Sequence, residues 1–490
     1  MLLHLRIVAL FKDLVNGLIE AERVFYSNPR DLRSLERTTK ATTDAVAVQF
    51  ISGVLSCLDE QIKDSSFRKK NYTIQRTRQR GLVSSVGDLA FNCTVYRKKG
   101  NKKGGYTSLL SKMLGLDKNE RFTEEAEVMM LTEALKTSYA EAARILPSKQ
   151  KISKTTVMNK VHGLAEEMPV PISEEKKCAD YLYVEADEDH VAEQHGDQTT
   201  PEENKSFITK LVYLYENKED VDGYTNRKEL KNKYYISGLY PGEEGNRQIW
   251  DKLQAYIDGN YDTECLKKVF VSGDGAAWIK TGAARLDKAL FCADKYHLMQ
   301  YINSAASQML DEKEDVKNEL WHLLNSRGKH TKKKFDEYTR RMMTSAKSPE
   351  KIETLRKYVL GNWEAIRRTM KNKLVKGCSA ESHVSHVLSD RLSSRPMGWS
   401  QIGADRMSKL RCYERNHGRE NLIDFVRYSR ELRNGKRKAA AGSMYKTVRM
   451  NEIVAEHYDQ AKSYIERIQA TIPGATARKE ASISMQLCMM

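Results

Sequence analysis

The 490 residues include only nine prolines. They hold no Cys-x-x-Cys pair and no Gly-x-x-x-x-Gly-Lys-Ser/Thr loop, and no run that approaches the roughly 18 apolar residues of a membrane span. Each absence excludes a class. The eight cysteines, at 57, 93, 178, 265, 292, 378, 412 and 488, are scattered. Neither a zinc ribbon nor a disulfide framework is therefore expected, and a reducing cytoplasm is the expected setting. Without a phosphate loop, a nucleotide-driven motor is not expected. The apolar start, Met1 to Phe11, is broken by His4 and Arg6 and runs on into Lys12 and Asp13. It offers no small-residue cleavage site, so no signal peptide is expected. Scarce proline with 40% hydrophobic residues argues against wholesale disorder.

Charge is abundant and unevenly placed. The whole chain carries +16, distributed as +8 over residues 1–150, −7 over 151–300, +16 over 301–450 and −1 over the last forty. Basic flanks suggest a polyanion partner, and an acidic centre suggests either a metal site or chance.

Leu5, Val8, Phe11, Leu14 and Leu18 recur at helical spacing, which predicts a helix over 5–25, with a second over 44–60. Together they make an N-terminal helical region, 1–66. Residues 68–103 are rich in Arg and Lys, hold short β-prone pieces (Tyr72–Ile74, Phe91–Tyr96) and read as a solvated face or a phosphate-contacting one. On the second reading Arg76, Arg78 and Arg80 touch nucleic acid. Ser138 to Leu146 reads as a short helix with Ser138 as N-cap and Glu141 at the capping-box position. A second helix follows from Ser153. A helix pair led by basic and hydroxyl residues is the helix-turn-helix layout, although helix pairs are common in other contexts. It would place Lys154, Thr155, Thr156 and Lys160 against DNA, and makes 67–168 a basic DNA-binding region with its reader near 138–162.

From residue 177 the texture changes. Strands are predicted over 178–186, 205–215 and 232–240, a helix over 244–257, a strand over 265–273, a helix over 276–286 and a strand over 290–293. Three strands, helix, strand, helix, strand is the order of a ribonuclease-H-like α/β core, assigned to 177–298 plus 379–412. Apolar residues at spacings of three and four, from Val316 to Ile366, mark residues 299–378 as an all-α insertion. Residues 413–490 form a basic C-terminal region, with a helix predicted over 452–468.

Asp187 and Asp274 each follow an apolar strand, 87 residues apart. A strand-end aspartate alone more often caps a turn. Two of them on neighbouring strands suit a divalent cation, because buried carboxylates need a counter-charge. Glu381 is the candidate third acid. Glu188 and Asp189 crowd Asp187 and compete for the first position. The dense run Asp187, Asp189, His190, Glu193, His195, Asp197 looks like a zinc site, but residues on a strand alternate in direction and would not close a tetrahedron.

Four blocks carry a resemblance. They are Glu185-Ala-Asp-Glu-Asp-His-Val191, Ser272-Gly-Asp-Gly-Ala-Ala-Trp-Ile279, Asp294-Lys-Tyr-His-Leu298 and Ser382–Ser400. Together they resemble the Lre2-type bacterial insertion-sequence transposases, long grouped as an uncharacterised protein family and distantly similar to Mutator-like transposases. The resemblance covers about residues 68–415. It implies an Asp-Asp-Glu transposase with Asp187, Asp274 and Glu381 as metal ligands, and Mg²⁺ or Mn²⁺ as cofactor. Cys292 and His297 match the Cys/His pair after the second acid. His297 would orient a phosphate, or be a packing residue. Arg391 and Arg395 would hold the DNA backbone, and Trp399 would stack on a base or lie in the core. The implied partners are element-end and target DNA, bound by a dimer or larger multimer near the bacterial nucleoid. A catalytically inactive, transposon-derived DNA-binding protein is the alternative.

Overall fold

The computed structural model describes residues 2–100, 105–194, 205–221, 228–309, 312–395 and 397–434. His195, Asp197, the predicted helix over 452–468 and the basic run after Asn434 lie outside them. The chain forms two compact units. Of the described residues, the first takes those within 2–134, 138–160 and 426–434, and the second those within 135–137 and 161–425.

In the first unit, helices Leu2–Ser27 and Leu32–Asp64 precede a long antiparallel hairpin, β1 (Tyr72–Val83) and β2 (Asp88–Lys98). The hairpin is longer than the β-prone pieces predicted, because Leu82, Leu89, Phe91, Cys93 and Tyr96 line one apolar face. Helix Leu32–Asp64 corrects the expectation about apolar runs. It contains a window of mean hydropathy 1.4, long and apolar enough to cross a membrane by length and composition. Its polar groups nonetheless engage the hairpin: Ser52 and Ser56 hydroxyls accept from the N–H groups of Ala90 and Asn92, both at 3.2 Å. Fully buried Asp59 accepts from the Thr94 N–H at 2.9 Å.

The compact helix pair expected over 138–162 is not formed as drawn. Ser138 does cap through the Glu141 N–H, but the first helix is a single turn, Tyr139–Ala142. A long irregular connection leads to Lys154–His162. Asp88 at the hairpin turn holds that connection, accepting from the Ser148 hydroxyl at 2.7 Å and the Lys149 N–H at 2.9 Å.

The second unit is built on one five-stranded sheet. Its strands are β3 (Tyr181–Ala192), β4 (Ser206–Tyr215), β7 (Tyr234–Gly238), β8 (Lys268–Gly273) and β9 (Ala289–Ala293), with a small hairpin of β5 (Asn217–Asp220) and β6 (Lys228–Lys231) inserted after β4. The spatial order is β7-β4-β3-β8-β9, antiparallel from β7 to β3 and parallel from β3 to β9. The strands expected from the sequence are all present; the β5–β6 hairpin was not expected, because its charged residues carry no apolar alternation.

Side-chain alternation divides β3 between two faces. Leu182, Val184 and Ala186 pack beneath helices Gly242–Asn260 and Ala277–Ala283, against Ile249, Trp250, Leu253 and Ile279. Tyr183, Glu185, Asp187 and Asp189 occupy the opposite face. Helices between Lys295 and Lys371 share a separate apolar core that includes Leu320, Phe335, Leu355 and Ile366.

Two cysteines are bonded, which corrects the expectation of none. Cys178 and Cys265 form a disulfide with Cα atoms 5.5 Å apart. The register Tyr181↔Lys268 explains it: residues three places upstream on these parallel strands enter the sheet side by side.

Candidate active site

Asp187 is not at a strand end. β3 continues to Ala192 because β4 pairs with it throughout, Asp187 opposite Leu211. The parallel neighbour β8 stops earlier, its last partner pair being Glu185↔Ser272. Continued by two residues, that register sets Asp187 beside Asp274, which directly follows β8. The strands approach closely here: a Cβ on Gly273 would lie 3.0 Å from the Ala186 carbonyl. On the far side, Gly273 pairs with Ala293, so Asp294 follows β9 at the same level. Three neighbouring strands thus bring three aspartates to one edge.

The electrostatics agree with this placement. Asp187 is 7% exposed, and burial pushes its carboxyl up to about 7. The negative charges of Asp274 and Glu381 add to that rise, while the Glu188 N–H, 2.9 Å away, and His297 oppose it. His297 in turn is raised, first by its hydrogen bond to Asp294 and then by the fields of Asp294, Asp187 and Asp274. Asp274, Glu381 and His297 therefore all act on Asp187, and Asp187 and Asp274 act on His297. Cys292 is fully buried, and burial pushes its thiol up to about 11, so it is a protonated core residue.

Direction separates one of the two competitors for the first acid. Glu188 points to the other face and accepts from the Trp278 indole N–H at 2.9 Å. Asp189 shares the Asp187 face but lies further along, accepting from the Ser393 hydroxyl at 2.8 Å. His190 points away and is largely exposed, so the described part of the zinc-like run is split by alternation.

Glu381 is exposed on the short helix Ala380–Val384, which passes into a π-helical turn at Ser385–Ser389. Ahead of it lies a polar cluster that sequence reasoning missed, centred on Glu185. This carboxylate is 1% exposed and accepts from the Tyr215 hydroxyl at 2.6 Å, the Ser379 N–H at 2.6 Å and the Tyr213 hydroxyl. Lys218 of β5 stands 3.1 Å away. Burial pushes Glu185 up, but Lys218 and these donors outweigh it and hold the group below the ordinary carboxylate range.

Two further polar groups come from the helices after β9. The Tyr358 hydroxyl and the Asn362 Oδ1 are buried without a hydrogen-bond partner among the described residues. Burial raises Tyr358 first, and the charges of Asp274 and Asp294 raise it further. A Cβ on Gly275 would meet the Asn362 amide at 3.1 Å. Nothing in the local sequence marked either residue; each lies 84 or more positions from Asp274.

The residues assigned to nucleic acid divide. Arg76, Arg78, Lys154, Thr155 and Arg395 are exposed, and Thr156 is half-buried. Arg80 turns inward, donating to the Ser111 hydroxyl and the Asp117 carbonyl, each at 2.7 Å, so it is a packing residue. Lys160 is held by Glu120 at 2.6 Å and Glu127 at 3.1 Å, with its charge already neutralised. Arg391 is 3% exposed and lies 4.6 Å over the ring of Trp399, itself buried in the core. Those three are corrections. The basic C-terminal region also begins with committed charges: Arg427 pairs with Glu124 at 2.9 Å, and buried Arg430 with Glu127 at 2.6 Å.

Asp187, Asp274 and Glu381 are hard oxygen donors, and an uncompensated buried carboxyl suits a divalent cation. Donor chemistry and charge fit Mg²⁺ or Mn²⁺. Among the described residues, however, no three His, Cys, Asp or Glu side chains stand close enough to enclose an ion.

Comparison with known proteins gives a family. The model of an uncharacterised protein family, UPF0236, matches residues 26–427. One UPF0236 protein of Caldanaerobacter subterraneus subsp. tengcongensis is 34% identical over 420 residues, 86% of this chain and 83% of that protein. A second from the same organism is 33% identical over 441 residues, 90% of this chain and 86% of that protein. A UPF0236 protein of Streptococcus gallolyticus is 23% identical, over 79% of this chain and 86% of that protein. Among solved structures, the Drosophila P element transposase strand transfer complex matches at 11% identity, over 75% of this chain and 91% of that one, with a TM-score of 0.21, too low to establish a shared fold. The matched span and the identities place the chain in the UPF0236 family.

Proposed function

We propose that this chain is a transposase of the Asp-Asp-Glu kind, with a ribonuclease-H-like catalytic unit, that cuts and joins DNA at the ends of a bacterial insertion sequence. The observation that carries the proposal is the register of β3 and β8, which sets Asp187 beside Asp274 in a β7-β4-β3-β8-β9 sheet, with Glu381 and His297 near enough for their charges to act on Asp187. That sheet order, with three antiparallel strands continuing into two parallel ones, is what a ribonuclease-H-like reading requires. A family observation adds support: one relative's name joins eleven locus designations from a single organism, as a self-multiplying gene would leave. The location consistent with this reading is the cytoplasm, at the nucleoid.

Mg²⁺ or Mn²⁺, held by Asp187, Asp274 and Glu381, would supply activation of the attacking oxygen and charge relief at the leaving oxygen. The remaining work belongs to the chain. His297, oriented through Nδ1 by Asp294 at 2.8 Å, presents its Nε2 to a phosphate oxygen. Arg76, Arg78, Lys154, Thr155, Thr156 and Arg395 bind the DNA backbone, with affinity that falls as salt rises.

The test is cleavage and strand transfer on DNA bearing the inverted repeats that flank the gene, with Mg²⁺ or Mn²⁺. Wild-type protein should cut the ends, and Asp187→Asn, Asp274→Asn or Glu381→Gln should each lower the rate by at least about a thousandfold, the scale of losing a transition-state charge. Equal cutting by Asp274→Asn would overturn the assignment. Specific binding without cutting by wild type would favour the inactive DNA-binding alternative.

A further inference from the structure

We infer that Glu185 is a positioning residue for Glu381: its buried carboxylate anchors residues 377–379 to β3 and so fixes where the Glu381-bearing helix begins. The inference deepens the function proposed above and rests on Glu381 being the third acid.

The geometry is specific. Glu185 lies two residues ahead of Asp187 on the same face of β3. Its Oε2 accepts from Ser379 twice, from the N–H at 2.6 Å and the hydroxyl at 3.1 Å. Tyr215 donates to Oε1 at 2.6 Å, and Tyr213 donates to Oε2. Lys218, 3.1 Å from Oε1, also donates to the Gly377 carbonyl and reaches the Ser379 hydroxyl at 3.3 Å. Tyr183, one further step back on this face, donates to the Leu374 carbonyl at 3.0 Å.

Donors from three chain segments, β4, β5 and residue 379, thus converge on one carboxylate. A buried acid needs such a set, because each unmet lone pair costs desolvation energy. The far end of the short helix is tied to the same sheet face: the His383 ring packs 4.4 Å from Tyr213 and bonds the Tyr235 hydroxyl at 2.9 Å. Glu381 is therefore held between attachments at 379 and 383. The strand that presents the first acid also sets the place of the third, 194 residues downstream of Glu185 to its Ser379 contact.

Replacing the acid by an amide tests this, since the NH₂ of Glu185→Gln must face either the Ser379 N–H or the Lys218 ammonium, and both can only donate. Two readouts on the full chain separate anchoring from general support. Backbone hydrogen exchange over 379–384 should quicken by about tenfold or more while exchange in β1–β2 stays unchanged, and the Mn²⁺ dissociation constant should rise by a similar factor. Glu185→Asp, which keeps the charge but is shorter, should fall between. Wild-type exchange over 379–384 in Glu185→Gln overturns the inference. If wild type itself binds no Mn²⁺, the metal reading fails, and the exchange result still decides the anchor. Should Glu185→Gln not fold, Lys218→Met is measured instead: faster exchange over 379–384 supports the anchor and unchanged exchange overturns it.

Discussion

Nδ1 of His297 and the carboxylate of Asp294 are 2.8 Å apart, and this pair stands beside Asp187 and Asp274 at the edge of the sheet. Asp294 also caps the helix Lys295–Ala306 by accepting from the Tyr296 N–H at 3.0 Å. One carboxylate therefore both fixes a helix start and orients the ring one turn later.

It follows that Asp294→Asn should lower the His297 midpoint. The hydrogen bond is the largest cause of the upward shift, and the amide cannot supply its charge. Ring-proton titration by NMR should show the midpoint moving towards the ordinary 6.5 of histidine. An unmoved midpoint would mean that Asp187 and Asp274 alone set it.

His383 behaves in the opposite sense. Burial pushes it down to about 4; Glu185 opposes the fall, while Lys233, Lys218 and Arg415 add to it. A histidine whose folded value is depressed keeps its full stability contribution above the unfolded value near 6.5 and loses it as pH falls towards 4. Thermal melts between pH 7 and 4.5 should therefore show a loss of up to about 3 kcal/mol that is absent in His383→Gln.

The disulfide joins the chain just ahead of β3 and β8, nine residues before Asp187 and nine before Asp274. Closing a loop of 87 residues restricts the unfolded chain, so a reductant should lower stability by about 2–4 kcal/mol. The Cys178→Ser/Cys265→Ser double variant should melt at the reduced protein's temperature and ignore dithiothreitol.

Arginines of β1 should separate into two classes. Arg76→Ala with Arg78→Ala should leave melting unchanged, weaken DNA binding and flatten its salt dependence by about two in slope. Arg80→Ala should instead cost about 1–3 kcal/mol of stability, since it strands the Ser111 and Asp117 acceptors it now serves. A DNA titration over a range of salt beside a denaturation curve checks both.

The sequence by itself determined the five strands of the second unit's main sheet. Alternating apolar residues in β3 and β4, and apolar runs ending at Asp274 and Asp294, follow from local periodicity and burial, which act over a few residues. Direction along a strand also separated Asp187 from Glu188, because a period of two permits no other outcome. What tertiary structure alone decided is which charges are free. Arg80, Lys160 and Arg391 are indistinguishable in sequence from Arg76, Lys154 and Arg395, yet the first three are buried or paired and the others are exposed. The role of Glu185, the approach of Tyr358 and Asn362 and the Cys178–Cys265 bond depend on contacts between residues 28 to 194 positions apart. No local pattern encodes such pairings, because they exist only once sheet register and helix packing have brought distant segments together.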